Sequence, residues 1–252
     1  MREKWYGDQR DLVKWSTLLE LAHTAHVQKM LQVTCLVPDG FKKMKDDHAI
    51  LTKEFGSDVA DVVWRHFRTL DDVGKLGREV GIEVVVVPDE YPNYIGGRDS
   101  YFESVAKKWL KPDRGPLIVF LDPDTGLGRD RTHVSPEQLL TVKRAMKPGD
   151  WLVFYQHAPL FEKDGDWRED RLRGFAEALD VPVDAVTRRL SDVAKDVMFL
   201  VWSAGGLIEG DRGTDARDQT PPPRAPGRDE PTVGLRDRVE SVTRRLRDLL
   251  DR

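Results

Sequence analysis

The densest chemical signal in this chain is Asp122-Pro123-Asp124-Thr125-Gly126, directly after the apolar run Leu117–Leu121 (LIVFL). An aspartate that ends a buried strand stands at the rim of a sheet. There its carboxylate can accept hydrogen bonds from an amine or hydroxyl, or ligate a metal. Proline fixes the backbone between the two acids, and Gly126 permits a positive φ or a close approach. The plainer alternative is a turn, with Asp122 capping it and Asp124 N-capping a short helix. His157 holds the corresponding place after Trp151–Tyr155 (WLVFY), where it can act as general base, metal ligand or hydrogen-bond donor. Asp122, Asp124 and His157 are therefore the candidate catalytic residues, with Asp122 and Asp124 as oxygen ligands in a Mg2+-dependent alternative.

Other apolar runs end in the same way. Pro38-Asp39-Gly40 follows Met30–Val37, and Pro88-Asp89-Glu90 follows Ile82–Val87. Asp39, Gly40, Asp89 and Glu90 are the candidates for holding a cofactor at those ends. The aromatic and charged stretch Trp5–Trp15 can fold over the strand ends and bring Tyr6, Asp8, Arg10 or Lys14 to a ligand. Of these, Tyr6 and Lys14 are carried as cofactor contacts. The alternative is a helix start with Asp8 or Asp11 capping and Lys14 solvated. Arg98 and Asp99, after Gly96-Gly97, read as loop residues that can reach the same place, and His133 lies close enough to the aspartate motif to face its pocket. Together Asp39, Asp89, Glu90, Asp122 and Asp124 predict an acidic rim, which favours a cation, an amine or a ribose over bare phosphate.

The elements that must position these residues alternate along the chain. Helical periodicity marks Asp11–Ala22, Val59–Leu70 (continuing over 71–80), Ser100–Leu110, Pro136–Met146 and Trp167–Leu179. Strand patterns mark Met30–Val37, Ile82–Val87, Leu117–Leu121, Trp151–Tyr155, Val183–Leu190 and Val197–Trp202. Ser135 followed by Pro136 is an N-cap with proline at the first helical position. Strands without polar alternation, separated by helices, predict an α/β fold: a mostly parallel sheet covered on both faces. The last two strands are close enough for an antiparallel hairpin at one edge. Residues 1–208 then form the folded domain, 209–232 a disordered polar linker, and 233–252 an amphipathic helix with Leu235, Val239, Val242, Leu246 and Leu249 on one seam. That helix either docks on the body or pairs with another chain.

Composition bounds the function classes. There are 40 Lys and Arg against 44 Asp and Glu, a formal net charge of −4. This balance argues against a general polyanion binder, yet it does not separate a nucleic-acid substrate from a small molecule. No apolar run approaches the ~20 residues of a membrane span, and the N-terminus has no signal-peptide pattern. The single cysteine, Cys35, forms no internal disulfide, so a cytoplasmic protein is expected.

Two segments carry a resemblance. Ile118–Leu127 (IVFLDPDTGL) and Lys147–Phe154 (KPGDWLVF) are similar to the fourth and fifth strands of class I S-adenosylmethionine-dependent methyltransferases, and the closing strand pair is similar to that fold's terminal hairpin. The resemblance implies a Rossmann-like fold, S-adenosylmethionine as cofactor and a transferase activity. Asp122 would orient the acceptor, and His157 or Asp124 would assist proton removal. The acceptor-binding motif of amino-methylating members matches here only through Asp122 and Pro123. YGDQRDLVKW, FLDPDTGL and GDWLVFYQH together also resemble an uncharacterised bacterial protein family, which carries no activity over. Two other readings stay open: a metal-dependent hydrolase or nuclease built on Asp-Pro-Asp, and a non-catalytic nucleotide- or partner-binding protein.

Overall fold

The structure is a computed structural model, and it describes residues 9–35, 72–79, 81–92, 95–130, 133–159, 167–191 and 194–206. The elements follow in the order α1 (Gln9–Thr24), β1 (Lys29–Thr34), α2 (Asp72–Glu79), β2 (Glu83–Val86), α3 (Ile95–Trp109) and β3 (Ile118–Asp122). Next come the short strands β4 (Gly126–Leu127) and β5 (His133–Val134), α4 (Pro136–Ala145), β6 (Trp151–His157) and α5 (Trp167–Leu179). The strands β7 (Val186–Leu190) and β8 (Val197–Ser203) close the series. The expected linker 209–232, the terminal helix 233–252 and the helical pattern over Val59–Leu70 lie outside the described residues, as do Tyr6, Asp39 and Gly40.

The six strand patterns read from the sequence assemble into one sheet, in the order β2-β1-β3-β6-β8-β7. The first four are parallel, and β8 runs antiparallel between β6 and β7. The expected closing hairpin is present, but its second strand lies inside the sheet and its first forms the edge. β4 and β5 add a small parallel pair that periodicity does not reveal, because two residues are too few to show a period.

Pleating divides the sheet into two cores. Leu31, Val33, Val119, Leu121, Leu152 and Phe154 meet Phe102, Leu139 and Phe175 from α3, α4 and α5. Met30, Ile118, Phe120, Val153 and Tyr155 meet Trp15, Leu18 and Ala22 of α1 and Val73 of α2. Phe102, Phe120, Phe154, Phe175 and Phe199 are fully buried, each contributing roughly 1.5–3 kcal/mol relative to exposure. The sheet is thus covered on both faces, which explains strands such as β3 with every residue buried.

α4 opens as its sequence predicts. Ser135 Oγ accepts from Gln138 N, the Gln138 side chain accepts from Ser135 N, and Pro136 occupies the first turn. One expectation is corrected here. Arg98 and Asp99 are not loop residues: α3 starts at Ile95, and both lie in its first turns. Two glycines suggest a loop by propensity, but the tertiary packing of Tyr101, Phe102 and Val105 sustains the helix through them.

Candidate functional site

The chain order folds back between β1 and β3. From β1 it moves to β2 on one side, then returns past β1 to β3 on the other. Such a switch point opens a crevice beyond the carboxyl ends of the two strands, the standard place for a ligand in an open α/β sheet. Thr34 and Asp122, the last residues of β1 and β3, are in register there.

Asp122 is 1% exposed and lies in a buried polar cluster. Lys14 Nζ sits 3.1 Å from Asp122 and 2.7 Å from Asp11 Oδ1, while Gln32 Nε2 donates to Asp122 Oδ2 at 3.0 Å. α1 runs opposite to β1, so its first turns overhang the carboxyl edge. Asp11, Lys14, Trp15, Leu18 and Ala22 form its buried stripe. Burial alone opposes a charge on Lys14. The carboxylates of Asp11 and Asp122 outweigh it and hold the ammonium charged, above its ordinary range. The ammonium also stands 5.0 Å from the Tyr155 ring centroid, a cation–π contact on the same face. The solvated Lys14 of the capping alternative is therefore corrected: the opposite charges on one stripe pair inside the protein.

His157 lies on this face too, since pleating places it with Tyr155 and Val153. Its Nδ1 is 2.9 Å from Ala158 O, and its Nε2 is 3.3 Å from Asp196 Oδ2. Both partners only accept, so both ring nitrogens donate, and the hydrogen bond to Asp196 raises the imidazole's pKa above its usual value. This arrangement favours the imidazolium relative to a free imidazole. Asp196 also takes Arg10 Nη2 at 2.5 Å. The His157 and Arg10 bonds hold its carboxyl well below the ordinary range, despite burial acting the other way. Sequence reasoning missed Asp196, because its only link to His157 is the antiparallel register of β6 and β8.

The charge of Asp124 acts on His133, whose pKa burial lowers while Asp130 and Asp124 raise it. Two residues after the second acid the chain turns at Gly126, which has φ +121° and packs against Gln156. Gln156 accepts from Leu127 N at 3.0 Å and donates to Thr125 O at 3.1 Å, clamping the turn. Asp122 faces Lys14, and Asp124 lies within electrostatic reach of His133. Among the described residues, no group of three or more His, Cys, Asp and Glu side chains is arranged to hold a metal ion.

The cofactor candidates at the end of β2 divide as well. Asp89 pairs with Lys108 Nζ at 3.3 Å near the surface, and Glu90 is exposed. On the α3 side, Cys35 is buried beside Tyr91, and burial pushes its thiol up to about 12, which leaves it unreactive near neutrality. Of the acids expected at the rim, Asp122 and Asp89 each face a cation, which a count of acids along the chain does not reveal. No protein-family model and no curated protein sequence matches the chain.

Proposed function

We propose that the chain is a Rossmann-like protein of the methyltransferase type, binding S-adenosylmethionine at the carboxyl edge between β1 and β3. The observation that carries this reading is the strand order. A parallel set reverses its winding between β1 and β3 and ends with an antiparallel strand inserted beside the edge. The sequence resemblance supports it independently, through the segments around β3 and β6.

Within this reading the chain's own residues take modified roles. Asp122, engaged by Lys14 and Gln32, is a positioning residue that fixes the end of β3 beside the crevice. His157 is a donor whose charge Asp196 stabilises. S-adenosylmethionine, when bound, supplies an electrophilic methyl group, and the protein's part is to orient an acceptor and exclude water. The Mg2+-dependent hydrolase reading has less support. Asp122 already accepts from an ammonium and an amide, and among the described residues no three ligating side chains gather to hold a metal.

Isothermal titration of the full chain with S-adenosylmethionine and its demethylated product tests the proposal. Saturable binding of either is expected, with a rise in melting temperature, since a ligand at 100 times Kd stabilises by about 2.7 kcal/mol. Absence of both heat and thermal shift at millimolar ligand overturns it.

A further inference from the structure

The α3 face of the same edge holds a buried charge that no carboxylate among the described residues meets. Arg98, in the first turn of α3, is 4% exposed. Its Nη1 donates to the backbone Asp130 O at 2.8 Å, and the guanidinium also reaches the Tyr91 hydroxyl, which in turn donates to His133 O. Its Nε is buried without a partner. Among the described residues no carboxylate pairs with it. Two neighbouring acids are engaged elsewhere, and a third faces solvent. Asp99 Oδ1 accepts from Gln138 Nε2 at 2.8 Å, Asp89 pairs with Lys108, and the Asp130 carboxylate is exposed on the His133 side.

A buried guanidinium is costly unless an anion meets its fork of donors. Arg114 shows the usual solution in this same protein, with Nη1 and Nη2 both 2.6 Å from the Asp150 carboxylate. Arg98 has only a carbonyl and a phenol, each carrying a partial charge. Its surroundings strengthen any anion it meets. The first turn of α3 has no acidic residue, so its free N–H groups add partial positive charge. Gly96 is exposed, with open space where a side chain would stand. Tyr91 and Tyr101, with ring centroids 5.4 Å apart, supply a low-dielectric wall.

We propose that Arg98 and the first turn of α3 form an oxyanion site, taking the carboxylate or phosphate group of a small ligand at the carboxyl edge. The guanidinium fork suits either group, because both present two oxygens at matching spacing. The site does not depend on S-adenosylmethionine, and it reverses the preference against anions that the acid count suggested.

The test uses the full chain and simple anions. Melting temperature is followed against sodium phosphate and sodium acetate, with sodium chloride at equal ionic strength as reference, and the Arg98 Nε–Hε resonance is followed in the same titrations. Wild type should melt higher with phosphate, acetate or both, and the Arg98 resonance should shift saturably with the same anion. The responding anion identifies the ligand group. R98M should melt no lower than wild type in chloride, since it removes an unbalanced buried charge, and should lose the anion response. A flat wild-type response, or an equal anion response in R98M, overturns the site. Should R98M fail to fold, an Arg98 resonance that stays fixed in wild type overturns it alone.

Discussion

Two buried aspartates stand at opposite ends of the same sheet, and they are held in different ways. Asp150, at the amino edge just before β6, is fully buried and closed on every side. It takes two bonds from Arg114, one from Lys147 N at 2.7 Å and one from Leu117 N at 3.2 Å. Asp122, at the carboxyl edge, shares Lys14 with Asp11 and takes one amide hydrogen from Gln32, whose own Oε1 is buried without a partner. The amino edge clamps its carboxylate, although Arg114 Nε, like Arg98 Nε, is buried without a partner. It ties the Lys147-Pro148-Gly149-Asp150 turn to the start of β3, which makes that sequence motif a structural device. The carboxyl edge leaves buried polar capacity unfilled, at Gln32 on one face and Arg98 on the other. Strain and unfilled capacity belong where a ligand completes them.

The largest effect expected is from Lys14→Met, which strands Asp11 and Asp122 without their ammonium. A loss of about 3–5 kcal/mol in chemical denaturation is expected for breaking such a buried arrangement. Combining Lys14→Met with Asp122→Leu should cost less than the sum of the two single changes, because the pair is coupled. Additive costs would show that Lys14 and Asp122 do not interact. Asp150→Asn should follow at about 2–4 kcal/mol, since the neutral amide keeps an acceptor but loses the bidentate Arg114 pair. It should leave ligand binding at the other edge unchanged once stability is restored by temperature. A change in S-adenosylmethionine or phosphate affinity in folded Asp150→Asn would break the comparison of the two edges.

Gly126→Ala tests the turn that follows the two motif acids. Its new Cβ would come within 2.3–2.4 Å of the Gln156 amide atoms, at a φ that L-residues rarely adopt. A destabilisation of about 1–3 kcal/mol is expected by thermal unfolding. A neutral result would mean that the Gln156 clamp relaxes freely.

The smallest effect concerns His157 and Asp196. Asp196→Asn removes the main cause of the raised imidazole pKa, so the NMR titration of His157 should move down toward, or below, the ordinary value of about 6.5. In the intact pair, the raised His157 contributes stability that is full below its unfolded value and lost as pH rises through the folded one. The lowered Asp196 contributes stability above its own unfolded value and loses it as pH falls. The pair therefore acts most fully between about pH 4 and 6.5. Both groups are partly exposed, so the contribution is discounted to under about 1 kcal/mol. An unchanged His157 titration in Asp196→Asn would remove the imidazolium assignment.

By itself, the sequence determined that the central strands are buried on both faces, that helices separate the parallel strands and that Ser135 opens α4, since each follows from local residue types and spacing. It also placed Asp122 and His157 at strand ends. Only the tertiary structure decided what those ends touch. Lys14 meets Asp122 across 108 positions of chain, and Arg10 meets Asp196 across 186. No periodicity records such distances. A carboxylate reads the same in a sequence whether it faces solvent or an ammonium, because its charge is local and its partner is not. For that reason two acids of the expected rim, Asp89 and Asp122, proved to face ammonium groups, beside one buried arginine that found no acid among the described residues.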